Sequence, residues 1–291
     1  MKKGVFSVLS SLIPLIILSG CTSISAFFAN APSYFDDVQI TKDVIFNEAN
    51  NLKLDVYTPP PSIAHKNQVI IFFYGGSWES GSKNLYRFVG SVFANHGYVV
   101  IIPDYRKYPS VKFPEFMFDV ADAVEWTQNN IKKYGVKNPE IILVGHSAGA
   151  NISTLLITDK SYLQSKKIKV YGGIGLAGAY DFTPNTERLK DIFGPPTNYP
   201  SMRPLTFIDG SEPPLFLAHG EKDKIVGLFN FDRMVSKLKE KKVPVTAKLY
   251  PDMGHVDLIS QLSWIGGKES LLFKDIIKFL NNLRNSSHAE R

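Results

Sequence analysis

The sequence has almost no cysteine, because Cys21 is the only one among its 291 residues. A single thiol cannot form an intramolecular disulfide, so the fold must be held together by its hydrophobic core. Hydrophobic residues make up 44% of the chain and charged residues 21%, as in ordinary globular proteins. The length suits one large α/β domain or two small ones, with ample material for a core.

The chain also lacks a dense basic surface signal and a cluster of metal ligands. Its net charge of +6 is scattered, and the densest basic runs, Lys166-Lys167 and Lys237 to Lys242, are short. We interpret these runs as solvated faces that could also favour an anionic membrane surface, and we expect no nucleic-acid partner. A phosphate-binding glycine loop is missing as well, so the sequence implies no metal and no organic cofactor.

The N-terminus has the layout of a signal peptide. Residues 1–3 are basic, and Gly4 to Leu18 is apolar but too short and too interrupted for a comfortable membrane span. The following Leu18-Ser19-Gly20-Cys21 resembles the bacterial lipobox.

This resemblance implies that residues 1–20 are removed and that Cys21 is lipidated and tethers the protein to a membrane. We then expect a location in the bacterial cell envelope. In a Gram-negative host this would be the outer membrane, since Thr22 follows the cysteine instead of Asp. An ordinary signal peptide and an uncleaved N-terminal anchor remain open alternatives.

Predicted strands and helices alternate along residues 37–291, which indicates an α/β domain after a tether of residues 21–36. The predicted strands are 43–46, 52–57, 69–73, 99–102, 141–144, 170–176, 215–219 and 246–250. The predicted helices are 84–95, 113–134, 229–241 and 271–283. We expect a leading hairpin, then a mostly parallel central sheet with helices on both faces. Residues 183–213 are rich in turn-forming residues and are interpreted as a short cap-like insertion.

One stretch joins a predicted strand, a sharp turn and a predicted helix. The strand 141–144 is followed by Gly145-His146-Ser147-Ala148-Gly149. The two glycines let the chain pass close to itself, so Ser147 is expected on a strained turn with its hydroxyl exposed. So short a pattern also occurs by chance. Here the turn falls at the carboxyl end of a strand, where parallel sheets form their sites, and we take Ser147 as a candidate nucleophile.

A serine hydroxyl is a weak nucleophile unless a base takes its proton and an acid orients that base. His255 follows the last predicted strand and is the candidate base, whereas His146 is expected to point away from the site. Asp223 follows the preceding strand and completes the expected chain order of Ser, Asp and His. Asp181, at the end of an earlier strand, remains the alternative acid.

Backbone N–H groups are also needed to stabilise negative charge on the oxygen of an attacked carbonyl. One such group belongs to Ala148, directly after the candidate nucleophile. Others are expected in the loop after the strand 69–73, where Gly75-Gly76 lets the backbone approach closely. We therefore predict an oxyanion hole formed by Gly76, Ser77 and Ala148.

Taken together, these motifs resemble the esterase/lipase group of α/β-hydrolases, which includes hormone-sensitive-lipase-type carboxylesterases, isoprenylcysteine methylesterases and kynurenine formamidases. The resemblance covers about residues 40–283. The matching segments are Tyr74 to Trp78, Asp104 to Arg106, Gly145 to Gly149, Gly220 to Asp223 and Gly254-His255. Tyr74 departs from the family pattern His-Gly-Gly-x-Trp, whose histidine braces the oxyanion loop. We interpret Asp104 and Arg106 as structural.

The resemblance implies an α/β-hydrolase fold and a serine hydrolase that cleaves a small-molecule carboxylic ester through an acyl-enzyme on Ser147. Two alternatives stay open. Amide hydrolysis of the formamidase or peptidase type would use the same three side chains. A surface lipoprotein that kept the fold only for binding would need none of them to react.

Overall fold

The structure is a computed structural model that describes residues 29–264 and 270–289. The predicted signal peptide, residues 1–20, and the predicted lipidation site Cys21 lie outside the described residues. Within the described residues the predicted α/β-hydrolase fold is confirmed, with a mixed and mostly parallel sheet.

Eight strands of the described chain form one sheet in the order β1-β2-β4-β3-β5-β6-β7-β8. Their bounds are β1 Gln39–Asn47, β2 Leu52–Thr58, β3 Gln68–Phe73, β4 Val99–Pro103, β5 Glu140–His146, β6 Val170–Leu176, β7 Leu215–Gly220 and β8 Val245–Tyr250. The first two strands are the predicted hairpin, and β2 also runs antiparallel to β4. All other pairs are parallel. The carboxyl ends of β3, β5, β6, β7 and β8 therefore lie at one edge of the sheet.

The helices connect these strands. Their bounds are α1 Arg87–Ala94, α2 Glu115–Asn130, α3 Ala148–Thr158, α4 Ser161–Gln164, α5 Glu187–Phe193, α6 Tyr199–Met202, α7 Phe229–Glu240, α8 His255–Ser260 and α9 Leu271–Ala289. The predicted helix 113–134 ends in a 3₁₀ turn over Ile131–Tyr134. Helix α8 was not predicted, and His255 is its first residue. The carboxylate of Asp257 accepts a hydrogen bond from the N–H of Gly254 at 2.9 Å, which caps this short helix.

The core lies around the central strands. Every residue of β3, β4 and β5 is buried, whereas β1 and β8 at the two edges have exposed positions. The continuous apolar run of β3 fits a parallel strand that is covered on both faces. A rigid, buried centre thus carries the loops that follow β3 and β5.

The predicted insertion 183–213 contains α5, α6 and short 3₁₀ turns. Asn151 of α3 connects to this insertion through its side-chain amide, which donates a hydrogen bond to the carbonyl oxygen of Met202 at 3.0 Å. The same amide donates to the carbonyl oxygen of Ala179, just before the insertion, also at 3.0 Å. Asn151 is 1% exposed, so these bonds satisfy a buried amide. Helix α3, which follows Ser147, is thereby attached to the insertion.

The described part of the predicted tether lies against α1. The side chain of Asn30 accepts a hydrogen bond from the N–H of Phe88 at 2.8 Å. Arg87 donates to the carbonyl oxygen of Ser33 at 2.6 Å, and its guanidinium lies 4.5 Å from the ring centroid of Tyr34. These contacts fix where the N-terminal segment meets the domain.

The leading hairpin is attached by a buried ion pair that allows a stability test. Lys83 lies 2.8 Å from Asp55 and 2.9 Å from Asp43, and the side chains of Lys83 and Asp55 are 3% and 2% exposed. We predict that Lys83→Met lowers the free energy of unfolding by about 3 kcal/mol, because it leaves the Asp55 carboxylate buried without its cation. Denaturation in urea measures the loss.

Asp43→Asn is the matched control for this prediction, because the side chain of Asp43 is 60% exposed. We expect a much smaller loss for it, since exposed ion pairs contribute little. Equal losses in the two variants would show that burial of the pair is not what matters.

Candidate active site

Ser147 occupies the sharp turn between β5 and α3, with φ 56° and ψ −123°. A non-glycine residue at positive φ is strained and is held there by its surroundings. A Cβ on Gly145 would lie 2.2 Å from the carbonyl oxygen of Gly149, and one on Gly149 would lie 2.0 Å from that of Phe73. Both positions therefore require glycine. The N–H of Ser147 donates to the carbonyl oxygen of Leu176 at 2.9 Å, which fixes the turn to β6.

The structure brings the three predicted side chains into one hydrogen-bonded chain. Nε2 of His255 lies 2.8 Å from Oγ of Ser147, and Nδ1 of His255 lies 2.7 Å from Oδ2 of Asp223. A carboxylate only accepts, so Nδ1 carries the hydrogen and Nε2 is free to accept the proton of the serine hydroxyl. The side chain of His255 is 8% exposed and that of Asp223 is fully buried, so the hydrogen bond between them is shielded from water.

The second oxygen of the Asp223 carboxylate is also bound. Its Oδ1 accepts hydrogen bonds from the N–H groups of Ile225 at 2.8 Å and Val226 at 2.9 Å. Burial alone would raise the pKa of Asp223, but the hydrogen bond from His255 and those from the two backbone N–H groups hold that pKa below its usual value. Asp223 therefore stays ionised and keeps the imidazole of His255 in the required tautomer.

The alternative acid, Asp181, does not contact His255. Its carboxylate lies 2.9 Å from Nη1 of Arg233 and 3.5 Å from Nε of Arg203. Its N–H donates to the side chain of Asn230 at 2.8 Å. The geometry thus gives Asp181 a structural position between α7 and the insertion, and favours Asp223 as the acid.

The loop after β3 reaches the nucleophile in a strained conformation. Gly76, Ser77 and Trp78 have φ values of 138°, 53° and 60°. A Cβ on Gly75 would lie 3.0 Å from Cβ of Ser147, so the loop passes directly beside the nucleophile. Ser77 and Ala148 line the same pocket as Ser147, and Gly76 precedes Ser77 in the loop. This placement suits the predicted oxyanion hole.

Tyr74, the departure from the family motif, braces this loop through a buried network. Its hydroxyl donates to Oδ1 of Asp104 at 2.7 Å and accepts from Nζ of Lys107 at 2.9 Å. Burial raises the pKa of Tyr74 well above its usual value, so the phenol keeps its proton. Asp104 therefore has a structural role, as expected. Arg106 has one too, since it binds Asp119 at 2.7 Å.

The pocket beside Ser147 has a volume of about 290 Å³, and large apolar side chains form much of its lining. Its lining residues include Trp78, Phe182, Leu189, Ile225, Val226 and Phe229. Sequence reasoning missed Phe182, Leu189, Ile225 and Phe229, because they lie on loops or in the first turn of a helix and belong to no motif. Among the described residues there is no group of three or more His, Cys, Asp or Glu side chains placed to hold a metal ion.

The expectation that His146 points away from the site was wrong. Its ring centroid lies 4.8 Å from that of His255, and its Nε2 lies 3.2 Å from the carbonyl oxygen of His255. The side chains of His146 and Ser147 do diverge at the turn. However, the chain that carries His255 passes over the end of β5 on the side to which His146 points.

The sheet order, the strained serine turn and the hydrogen-bonded Ser147, His255 and Asp223 are the features of the α/β-hydrolase class of proteins. The chain belongs to the BD-FAE family, whose model matches residues 54–238. This match contains both the oxyanion loop and the nucleophile turn.

Curated relatives are similar over most of this chain. Isoprenylcysteine alpha-carbonyl methylesterase ICME of Arabidopsis thaliana is 26% identical over 287 residues, which cover 88% of this chain and 65% of that relative. Esterase LipC of Mycobacterium tuberculosis is 26% identical over 267 residues, which cover 84% of this chain and 65% of that relative. The chain thus spans just under two thirds of the length of these relatives.

Solved structures share the fold at low sequence identity. Esterase B from Lactobacillus rhamnosis superposes with a TM-score of 0.77 at 18% identity, covering 95% of this chain and 97% of that one. The butyrate-bound esterase Est2 from Thermogutta terrifontis has a TM-score of 0.66 at 19% identity, covering 84% and 92%. These likenesses establish the fold.

Two aspartates at strand ends allow a matched test of the acid. We predict that Asp223→Asn lowers kcat for p-nitrophenyl acetate by about 1000-fold or more, because the amide no longer selects the imidazole tautomer that accepts the serine proton. Asp181→Asn should change kcat by less than about tenfold, since its carboxylate pairs with arginines. A greater loss in Asp181→Asn than in Asp223→Asn would reverse the assignment.

Proposed function

We propose that this protein is a serine carboxylesterase that cleaves a small-molecule carboxylic ester through an acyl-enzyme on Ser147. The observation that carries the proposal is the hydrogen-bonded chain from Ser147 through His255 to Asp223, with distances of 2.8 Å and 2.7 Å. Membership of the BD-FAE family and the esterase names of the relatives support the same reaction.

The first half of the reaction acylates the enzyme. His255 takes the proton of Ser147 as Oγ attacks the ester carbonyl carbon, and the N–H groups of Gly76, Ser77 and Ala148 stabilise the oxyanion. The intermediate then expels the alcohol, which leaves with the proton from His255. Asp223 stays ionised and stabilises the imidazolium while it lasts.

The second half repeats these steps with water. His255 takes a proton from a water molecule, whose oxygen attacks the acyl carbon and forms a second oxyanion in the same hole. Collapse releases the carboxylic acid and returns the proton to Oγ of Ser147. No cofactor enters this scheme, since every proton is moved by His255.

The dimensions of the pocket favour a short acyl group. A volume of about 290 Å³ lies just below the usual range of about 300–1,000 Å³ for small-molecule sites, and apolar side chains form much of the lining. The Thermogutta terrifontis esterase with a similar fold is described with butyrate bound. We therefore expect acetyl and butyryl esters to be cleaved faster than long-chain esters.

Hydrolysis of p-nitrophenyl esters by purified residues 22–291 tests this function. The wild type should prefer acetate and butyrate over palmitate, and Ser147→Ala should lower kcat by about 1000-fold or more. Ser153→Ala is the matched control: this serine lies in α3, the helix that follows Ser147, and its hydroxyl donates to the carbonyl oxygen of Ala150 at 3.2 Å.

Two outcomes would contradict the proposal. One is a folded wild type that releases no nitrophenol from any of these esters. The other is faster turnover of the matching p-nitroanilides, which would favour the amide alternative. Binding of either substrate without any turnover would point to the non-catalytic alternative.

We also propose that Cys21 is lipidated and anchors the protein in a bacterial cell envelope, in the outer membrane if the host is Gram-negative. The support is the sequence Leu18-Ser19-Gly20-Cys21 and the position of the only cysteine within it. In the described part of the chain, no helix combines the length and the apolar content that a bilayer span requires.

Expression in a bacterial host with an alkynyl fatty acid tests the anchor. We predict that the full-length wild type incorporates the label and sediments with membranes, because the acyl chains insert in the bilayer. Cys21→Ser should lose the label. Label retained in Cys21→Ser, or an unlabelled wild type of full activity, would contradict the anchor and leave the esterase proposal intact.

A further inference from the structure

His146 lies between the nucleophile and the base without belonging to the proposed proton-transfer chain. It is the last residue of β5 and the neighbour of Ser147 in sequence. The residue is 5% exposed, and its ring packs on the ring of His255 with 4.8 Å between centroids. Its Nε2 lies 3.2 Å from the backbone carbonyl oxygen of His255. One side chain thus contacts both the ring and the backbone of the base.

The direction of this hydrogen bond is fixed by the acceptor. A carbonyl oxygen cannot donate, so Nε2 of His146 carries the hydrogen. Nδ1 of His146 is buried and has no hydrogen-bond partner among the described residues. Burial lowers the pKa of His146 to about 3, which keeps its ring neutral at working pH. His146 is therefore a neutral donor with a defined tautomer.

The position of His255 needs such a restraint. It begins α8, a helix of only six residues, and the cap between Gly254 and Asp257 lies on the exposed side. His146 holds the backbone of His255 from the buried side. Because His146 is joined to Ser147 by one peptide bond, a single strand end sets the positions of both the base and the nucleophile.

The neutral ring also suits the charge that develops on His255 during the reaction. Asp223 faces that charge at 2.7 Å, and His219 lies 3.6 Å from the same carboxylate oxygen. His219 donates through Nε2 to the carbonyl oxygen of Val226 at 3.0 Å, and burial lowers its pKa. Both histidines that face the His255–Asp223 pair are thus neutral, so neither opposes formation of the imidazolium.

We propose that His146 is a positioning residue, which holds the backbone of His255 by donating a hydrogen bond to its carbonyl oxygen and so keeps the imidazole within reach of Ser147. This role rests on the proposed function, in which His255 is the base. It assigns chemistry to the second residue of the Gly145 to Gly149 turn, where any residue type fits the motif.

Two substitutions separate the hydrogen bond from the volume of the side chain. His146→Leu fills the space but cannot donate, whereas the amide of His146→Gln places an N–H close to the position of Nε2. We expect His146→Leu to lower kcat for p-nitrophenyl acetate by about 10- to 100-fold with KM changed less than about threefold, since ground-state binding is untouched. His146→Gln should lose less: the logarithm of its kcat should lie at least halfway from the value of His146→Leu to that of the wild type.

The rate of labelling by a fluorophosphonate gives a readout independent of the ester. It requires Ser147 and a correctly placed base but no hydrolysis, so His146→Leu should be labelled more slowly by a similar factor. Wild-type labelling and turnover in both variants would overturn the positioning role. Equal losses in both variants, in step with lowered melting temperatures, would also overturn it. A wild type that is not labelled would instead contradict the esterase proposal.

Imidazole NMR of the wild type keeps the inference testable even where a variant fails to fold. In two-bond ¹H–¹⁵N correlations, selectively labelled His146 should remain neutral and Nε2-protonated from about pH 5 to pH 9, with a protected Nε2–H proton coupled across the hydrogen bond to the carbonyl of His255. His219 should also be Nε2-protonated, through its own bond to the carbonyl oxygen of Val226. If selective labelling shows His146 as the Nδ1–H tautomer, or charged near pH 6, the proposed bond does not exist.

Discussion

The backbone of Ser147, held at φ 56°, is the constraint on which the rest of the site depends. A residue in such a conformation costs about 1–3 kcal/mol and persists only where its surroundings enforce it. Here the enforcement comes from close packing, because Gly145 and Gly149 bring backbone segments within 2.2 Å and 2.0 Å of where a Cβ would lie. The buried central strands supply the rigidity. The position of Ser147 in the pocket, the adjacent N–H of Ala148 and the contact of His146 with His255 all follow from this one turn.

Around that turn the titratable side chains are arranged so that, besides Ser147 itself, only His255 exchanges a proton in the proposed reaction. Asp223 is bound through both oxygens and stays ionised. His146 and His219 are kept neutral by burial. Asp181 follows β6 at the same edge of the sheet, but its carboxylate pairs with Arg203 and Arg233 and does not bind the imidazole of His255. In the proposed reaction His255 is therefore the side chain that accepts and returns protons, as acyl transfer by a serine requires.

Features that a local sequence pattern requires for steric or chemical reasons could be predicted. Features that arise from packing between distant segments could not. The strands were predictable from short apolar runs, and Ser147, Asp223 and His255 from their chain order at strand ends. Helix α8 was missed because its six residues have no apolar period and are recognised only by the cap between Gly254 and Asp257. Phe182 and Phe229 were missed as pocket residues because loop packing places them. The contact of His146 with His255 joins positions 109 residues apart, and no local pattern encodes it.

The most direct test of the central claim is to trap the covalent intermediate. Wild-type protein is mixed with p-nitrophenyl acetate, quenched in acid within the first turnovers and digested for mass spectrometry. The account predicts one acetyl group on the peptide that contains Ser147, and none on that peptide in His255→Gln. Acetylation of Ser147 at the same level without His255, or turnover with the acetyl group on another residue, would contradict the account.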